Sequence, residues 1–138
     1  MSCPVSLLQA RIYIHATEDP DRVMQALRNV VAGRYVVSIA RGHHGNIINI
    51  VQIKLEDCEA LEALNSIVAR LDDVEFLIML SGAEGTRLYA KFDKQHAYRG
   101  VLKISHGDDV VHLEVRGRAL AMEDMRSFLL SMREALKR

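Results

Sequence analysis

The sequence predicts an α+β fold: a mostly antiparallel mixed sheet with helices packed on one of its faces. Three observations support this prediction. Several short segments alternate apolar and polar residues, as half-buried strands do, and other segments space their apolar residues as amphipathic helices do. Turn sequences join neighbouring strands as hairpins. Because helices and hairpin-linked strands are mixed along the chain, α+β is favoured over the other fold classes.

The first predicted helix has clear start and stop signals. Asp19 offers a capping carboxylate, and Pro20 suits the first helical position. Apolar residues then recur at helical spacing until Gly33, which ends the helix. Residues 10–16 alternate in polarity and predict the strand before this helix, and residues 35–41 predict the strand after it.

The middle of the chain predicts a turn, a strand and two helices. Residues 42–46 contain two glycines and an asparagine, which tolerate positive φ in turns. Residues 47–55 are apolar enough for a central strand. Asp57 is predicted to cap a helix with one buried stripe. The length of segment 74–80 suits a strand, but the preceding aspartates favour a short helix, which we prefer.

The last third predicts three strands and a C-terminal helix. A glycine-containing loop precedes a strand that begins at Arg87, and a polar corner follows that strand. Two further strands are expected to form a hairpin across a four-residue turn. The final helix places several methionines on one side, where they suit a core. These segments are the corner 93–100, strands 101–105 and 110–116, the turn 106–109 and a helix over 122–136.

Composition limits the classes of function. A chain of 138 residues suits one domain, residues 1–138, and 49% hydrophobic with 26% charged residues is ordinary for a folded protein. Eighteen basic and eighteen acidic residues cancel, which counts against non-specific coating of nucleic acid but allows a local basic patch. No apolar segment is long enough for a membrane span, and we expect a cytoplasmic protein.

The two cysteines are interpreted as structural. Two residues cannot build a disulfide framework. Cys3 is expected near a frayed end, and Cys58 is expected to begin a helix, where a reactive thiol is the less favoured reading.

The polar faces of the predicted strands carry the functional hypothesis. If the strands share one sheet with helices on one side, their polar residues share the uncovered side. Five cations and one carboxylate would then give this face a charge of +4, with two tyrosines and two histidines among them. Tyrosines can stack on unpaired bases for about 1–3 kcal/mol each, and Arg and Lys can contact phosphates. A plain solvated face is the competing interpretation. The residues are Arg11, Tyr13, His15, Arg87, Tyr89, Lys91, Lys103, His112, Glu114 and Arg116.

Four blocks in the chain resemble a known family. They are residues 15–19 (His-Ala-Thr-Glu-Asp), 42–46 (Gly-His-His-Gly-Asn), 92–100 (Phe-Asp-Lys-Gln-His-Ala-Tyr-Arg-Gly) and 107–110 (Gly-Asp-Asp-Val). Together they resemble the archaeal predicted RNA-binding proteins described as candidate exosome-associated subunits. The resemblance implies a fold like that of the ribosomal protein that binds 5S ribosomal RNA, and a role linked to RNA. It implies no catalytic residue. The positions it brings forward are His15, Thr17, Glu18, His43, Asn46, Asp93, Lys94, Gln95 and Tyr98.

The corner after the Arg87 strand has two readings. In the first, Lys94 contacts a phosphate, Gln95 a base edge or ribose, and Tyr98 stacks on a base. In the second, Asp93 caps a short helix and Tyr98 packs inward. Capping is the better reading of Asp93, but a cap needs no lysine beside it.

The leading hypothesis is a non-enzymatic RNA-binding protein, an accessory factor in RNA processing or of the exosome, without cofactor, metal or membrane contact. The second hypothesis is a protein-interaction subunit of a larger complex that makes no direct RNA contact. The third is a metal-dependent hydrolase that uses Asp93, Asp108 or Asp109 with magnesium or manganese, although turn and cap roles explain these residues. Exposed strand edges also suit a homodimer. The RNA is expected to be single-stranded or structured, and the candidate contacts are Arg11, Tyr13, His15, His43, Asn46, Arg87, Tyr89, Lys91, Lys94, Gln95, Tyr98 and Lys103.

Overall fold

The computed structural model describes residues 2–42 and 44–137. Within these residues, six strands and five helices follow one another in a mixed order. In that order the elements are β1 (Val5–Ile14), α1 (Pro20–Val30), β2 (Tyr35–Arg41), β3 (Ile47–Glu56), α2 (Asp57–Arg70), α3 (Asp73–Leu80), β4 (Ala83–Glu84), β5 (Arg87–Asp93), α4 (Lys94–Tyr98), β6 (Val110–Gly117) and α5 (Met125–Leu136).

The strands form one antiparallel sheet in the order β2-β3-β1-β6-β5-β4. Alternate residues of β1 show which side is covered: Leu8, Ala10 and Ile12 are fully buried beneath the helices, whereas Arg11 between them is exposed. The predicted α+β fold with a mostly antiparallel sheet is therefore confirmed. No helix in the described part of the chain has both the length and the apolar character needed to cross a membrane.

The core lies between the sheet and its helices. Fully buried apolar side chains come from the central strands, for example Leu8 and Phe92, and from the helices, for example Leu27, Leu64 and Leu129. Each such side chain contributes about 1.5–3 kcal/mol relative to an exposed position. This burial fixes the strands in register, because a slip of one residue would exchange the two faces of the sheet.

Two of the helices begin as their sequences indicate. The Asp19 carboxylate accepts a hydrogen bond from the backbone N–H of Asp21 at 3.0 Å, and Pro20 follows as the first residue of α1. Asp72 accepts from the backbone N–H of Glu75 at 2.8 Å. This second cap explains why segment 74–80 belongs to helix α3 and not to a strand.

The predicted strand 101–105 and its hairpin with 110–116 are wrong. β6 pairs with β5 instead, and the intervening segment forms only an isolated bridge between Phe92 and Ile104. Segment 101–105 runs beside the end of β5, where the N–H of Ser105 donates to the carbonyl of Lys91 at 2.9 Å. Its alternation arises because Leu102 and Ile104 pack towards the core, not because it is a sheet strand.

Two further predictions are wrong: Asp57 does not cap α2, and Cys3 does not lie at a frayed end. Asp57 has a positive φ of 56°, which turns the chain from β3 straight into α2. Its carboxylate accepts a hydrogen bond from the N–H of Cys3 at 2.8 Å and pairs with Arg118 at 3.2 Å, and these two contacts lower its pKa. Cys3 forms a disulfide with Cys58, their Cα atoms being 5.2 Å apart, so the N-terminal segment is anchored to the start of α2.

Candidate nucleic-acid interface

The sheet surface opposite the helices, which we call the open face, carries a row of basic and imidazole side chains. Lys91 of β5 lies beside His112 of β6, and His112 lies beside Arg11 of β1. Gln52 of β3 continues the row. Adjacent strands are about 4.8 Å apart, so the Cα atoms of Lys91 and Arg11 lie roughly 10 Å apart, with His112 between them. Both cations are exposed, and His112 is half-buried.

The next two rows add a tyrosine, a carboxylate and two arginines. Tyr89 lies opposite Glu114, and Arg87 lies opposite Arg116. A guanidinium nitrogen of Arg116 lies 3.2 Å from a carboxylate oxygen of Glu114, so these two charges neutralise each other. The open-face cations of the described chain that have no carboxylate within 4.0 Å are Arg11, Arg87 and Lys91.

The two tyrosines of the open face differ in accessibility. The Arg11 guanidinium lies 5.6 Å from the centroid of the Tyr13 ring, and the His112 ring meets Tyr13 edge-to-face at 5.7 Å and 88°. Tyr13 is therefore braced by its neighbours. Tyr89 is 51% exposed, and its hydroxyl lies 3.4 Å from a guanidinium nitrogen of Arg87. Tyr89 therefore offers a free ring for stacking.

The backbone of Tyr89 is held by a close approach of Gly82. The Tyr89 N–H donates to the Gly82 carbonyl at 3.0 Å. A Cβ atom at position 82 would overlap the Tyr89 carbonyl oxygen. Glycine is thus required where the end of α3 meets β5, and this contact fixes the strand that carries the exposed ring.

The position of His112 between the two cations affects its pKa. Burial lowers its pKa below the ordinary value of 6.5, and the positive charges of Arg11 and Lys91 lower it further. These surroundings therefore favour the uncharged imidazole. A phosphate placed between the two cations would reverse part of this effect, because a nearby negative charge favours the protonated ring.

A cavity of about 390 Å³ opens on the same face. Its floor is formed by sheet residues that include Arg11, Lys91, Tyr89 and His112. The C-terminal end of α3 and residues 104–106 form its wall. A volume of this size falls within the range of small-ligand sites. The cavity thus combines cations for a phosphate with an aromatic ring for a base.

The structure contradicts the expectation that Lys94 contacts a phosphate. Its side chain is buried, and its ammonium is enclosed by Glu18 at 3.1 Å, Asp109 at 2.7 Å and the carbonyl oxygen of Tyr13 at 3.2 Å. These three contacts use the three donors of the ammonium group. Lys94 therefore ties the end of β1, helix α4 and the loop before β6 together and is not available to a ligand.

Asp93 caps α4, as the second reading of the corner predicts. One of its carboxylate oxygens accepts a hydrogen bond from the N–H of His96 at 2.9 Å and lies 2.5 Å from Nδ1 of the same residue. Burial alone would raise the pKa of Asp93, but the His96 contacts and the charge of Lys103 outweigh it and lower that pKa. Two of the three carboxylates proposed for a metal thus have other partners, since Asp93 caps α4 and Asp109 pairs with Lys94.

Gln95 and Tyr98 lie in a different cleft from the open face. This cleft runs between α1 and α4 and is also lined by Arg22, whose guanidinium lies 5.5 Å from the centroid of the Tyr98 ring. Tyr98 is 39% exposed, and Asn29 of α1 donates to its carbonyl oxygen at 3.1 Å. The inward packing of Tyr98 in the second reading is therefore wrong, and its ring remains partly accessible.

The remaining candidates lie at the edges of the sheet. His15 and Asn46 share a small cleft at the end of β1, and the His15 N–H donates to Glu18 at 3.0 Å. His43 lies outside the described residues. Lys103 was expected on the open face, and this expectation is wrong. Lys103 is exposed, but it follows α4 and belongs to no strand. Without Lys103, the same set of side chains carries four cations and one carboxylate, a formal charge of +3 instead of +4.

Sequence reasoning missed several residues of the cavity. Gln9 and Gln52 line it, as do His106 and Ile78. The two glutamines had a usable signal, because each alternates with other open-face residues along its strand. His106 and Ile78 had none, since their positions depend on how α3 and the loop fold over the edge of the sheet.

One group of potential metal ligands occurs among residues 2–42 and 44–137, and it is not on this face. It consists of Cys3, Asp57 and Cys58, whose ligand atoms lie within 4.8 Å of one another. Both sulfur atoms are in the disulfide and cannot act as thiolate ligands.

Comparison with known proteins identifies relatives of this chain in sequence and in fold. A family model described as RNA binding matches residues 8–116. An RNA-binding protein of Pyrococcus abyssi is 30% identical over 130 residues, with 84% of each chain covered. An uncharacterized protein of Methanocaldococcus jannaschii is 30% identical over 111 residues, covering 71% of this chain and 74% of its own.

Solved structures share the fold at lower identity. A DUF54 protein from Methanothermobacter thermautotrophicus has a TM-score of 0.74 at 23% identity, with 96% of this chain and 97% of the other covered. A DUF54 family protein from Sulfolobus solfataricus has a TM-score of 0.75 at 20% identity, with 95% and 97% covered. The match over residues 8–116 includes the strands of the open face, and the chain belongs to this RNA-binding family.

Proposed function

We propose that this chain binds single-stranded RNA, or unpaired segments of structured RNA, on the open face. The observation that carries the proposal is the row Lys91–His112–Arg11 beside the exposed ring of Tyr89. Membership of an RNA-binding family supports RNA as the partner. The protein binds and does not catalyse, acting as an accessory factor in RNA processing or of the exosome in the cytoplasm.

The affinity comes first from phosphate contacts. Arg11, Arg87 and Lys91 are exposed and have no carboxylate within 4.0 Å in the described chain, so their charges are available to a backbone of phosphates. Such contacts release counterions, and binding weakens as salt rises. Contacts to the backbone carry little sequence information, so sequence specificity is modest.

Base stacking supplies the second contribution. An unpaired base stacks on Tyr89 and enters the cavity, where Gln9 and Gln52 offer hydrogen bonds to its edge. Tyr13 acts indirectly, because it holds Arg11 and His112 in place. Longer RNA extends along β1 towards His15, and further contacts to Asn46, Lys103, Gln95 and Tyr98 belong to these outer segments.

The test is a fluorescence anisotropy titration with a short single-stranded RNA and with an RNA hairpin that has an unpaired loop. The test variant is Arg87→Ala with Lys91→Ala. The matched control is Arg28→Ala with Arg126→Ala, which removes the same charge from exposed positions on helices α1 and α5.

We expect the test variant to bind at least 10-fold more weakly and the control to stay within about 2-fold of the wild type. The slope of log K against log salt should fall by about 1.4 in the test variant, because each phosphate contact contributes about 0.7 for a single strand. Equal losses in both variants would reject the open face as the binding site.

A protein-interaction subunit is the second candidate function. It is favoured by the overall charge of zero and by the exposed apolar side chains of β2. In this case the purified chain would fail to bind either RNA, and native extracts would contain it in a complex that survives ribonuclease treatment.

A further inference from the structure

We propose that two copies of this chain pair antiparallel through β2, forming a two-fold symmetric dimer with one continuous sheet. The inference does not depend on RNA binding. It starts from β2, which is the outermost strand on its side of the sheet and pairs only with β3 in the described structure.

The exposure of β2 is unusual for an edge strand. Val36 and Ile39 are 72% and 71% exposed, and Tyr35 and Val37 are about half exposed, so apolar side chains reach solvent on both faces. Edge strands are normally protected by charged residues, proline or a bulge. Tyr35–Arg41 contains no proline and no acidic residue, and its pairing with β3 is regular. Such an unprotected edge is suited to pairing with another strand.

A second copy of β2 fits this edge better than an arbitrary strand because its sequence complements itself. A two-fold axis perpendicular to the sheet keeps both open faces on the same side, and centring it on Ser38 pairs all seven residues of the strand. On the helix side, Val37 then faces Ile39 of the second copy, and Tyr35 faces Arg41. Directly opposed apolar pairs and an arginine beside a tyrosine ring both stabilise antiparallel strands.

On the other face of β2, the residues also pair across the two-fold axis. Val36 and Ala40 face each other across the axis, and Ser38 faces itself. No carboxylate or bulky group interrupts this side. A C2 interface requires the same patch on both subunits, and the seven-residue strand meets that requirement.

The dimer has a consequence for the shape of the molecule. Joining the β2 edges extends the six-stranded sheet of each copy into a sheet of about twelve strands, a size within the range of large open sheets. Both open faces would lie on one side of it. Since one strand pairing is smaller than a standard interface of about 800 Å² per partner, we expect a dissociation constant on the order of micromolar.

Sedimentation velocity of the whole chain between about 2 and 200 µM is the first test. The wild type should shift from monomer to dimer across this range. Ile39→Lys should raise the dissociation constant at least 30-fold, because it places a charge against Val37 of the second copy. Val74→Lys changes an apolar residue that is 64% exposed on α3, and it should leave the dissociation constant unchanged. Circular dichroism confirms that both variants are folded.

Disulfide trapping tests the register. The native cysteines are already paired with each other, so an introduced cysteine is the reactive thiol. Ser38→Cys should cross-link with itself, because opposed Cβ atoms are about 4.5–5.5 Å apart. Val36→Cys and Ala40→Cys should cross-link when mixed but not alone. A monomer at 200 µM, or cross-linking of Val36→Cys alone in preference to Ser38→Cys, would overturn the proposal.

Discussion

The open face and the corner at Asp93–Gly100 are built from the same residue types, cations beside tyrosines, but the fold uses them differently. On the open face Lys91 is exposed and has no acidic partner within the described residues. In the corner Lys94 is 4% exposed and is enclosed by Glu18 and Asp109. The difference shows that a cation in a family motif can be buried to stabilise the fold. A cation on the exposed side of an alternating strand remains available to a ligand.

The physical origin of the difference is local. Every second residue of β5 faces away from the core, so Lys91 reaches solvent by geometry alone. Lys94 starts α4 directly after the strand, and the chain turns it back under the end of β1. A buried ammonium is tolerated only if its donors are used, and the two carboxylates and the Tyr13 carbonyl meet that need.

The largest effect predicted from this comparison is on stability. Lys94→Met should lower the free energy of unfolding by about 2 kcal/mol, because Glu18 and Asp109 lose their cation. Removing one partner of a fully buried pair costs about 3–5 kcal/mol, and the partial exposure of both carboxylates reduces this value. Urea unfolding measures the change.

Lys103→Met is the matched control, since Lys103 is an exposed lysine near the same corner. It should change stability by less than 0.5 kcal/mol, the range of ordinary surface substitutions. At temperatures where Lys94→Met is folded, its affinity for a short RNA should stay within about 2-fold of the wild type. A loss of affinity as large as that of the Arg87 and Lys91 double variant would remove the distinction between the two regions.

The second effect concerns the two accessible tyrosines. Tyr89→Ala should weaken binding of a short single-stranded RNA by about 10-fold, within the range of 1–3 kcal/mol for stacking of a base. Tyr98→Ala removes a ring of similar exposure from the corner and should leave that affinity within about 2-fold. Anisotropy titrations with RNA of about six nucleotides, then with longer RNA, compare the two. If Tyr98→Ala has the larger effect on the short RNA, the corner is the principal site.

The smallest effect is the pH dependence of binding. The pKa of His112 is lowered in the free protein by burial, Arg11 and Lys91, and a bound phosphate should raise it again. RNA binding then takes up a proton, so affinity should rise a few-fold as the pH falls from about 8 to about 5.5. His112→Gln should lose this part of the pH dependence. The variant thus distinguishes the contribution of His112 from that of the other histidines. Identical pH profiles for His112→Gln and the wild type would show that no phosphate lies near the imidazole.

The same shift affects folding with a defined sign. Because the pKa of His112 is depressed in the folded state, the unfolded chain takes up the proton first. Its contribution to stability is therefore present above the ordinary value of 6.5 and is lost as the pH falls below it. Binding measurements at low pH should thus be accompanied by a check that the chain is still folded.

Elements with strong local signals could be predicted from the sequence. The strand predicted at residues 35–41 coincides with β2, alternation located the exposed side of β5, and capping aspartates located the starts of α1 and α3. Segment 101–105 shows the limit of this method. Its apolar residues alternate as those of a strand do. Such a segment joins the sheet only if β6 pairs with it, and β6 pairs with β5 instead.

Long-range contacts explain the other errors. The disulfide of Cys3 with Cys58 spans 55 residues, and the ammonium of Lys94 meets Glu18 from 76 positions away. No local pattern encodes either contact. The open face was predictable because exposure repeats along each strand, whereas the role of the corner depended on three segments meeting in space.

The most direct test of the account is an NMR titration of the isotope-labelled chain with a short single-stranded RNA. We predict that backbone and side-chain shift changes concentrate on β1, β5 and β6, around Arg11, Lys91 and Tyr89. Residues of α4 should change little. Shift changes confined to α4 or to the helix side of the sheet would contradict the open face as the RNA-binding surface.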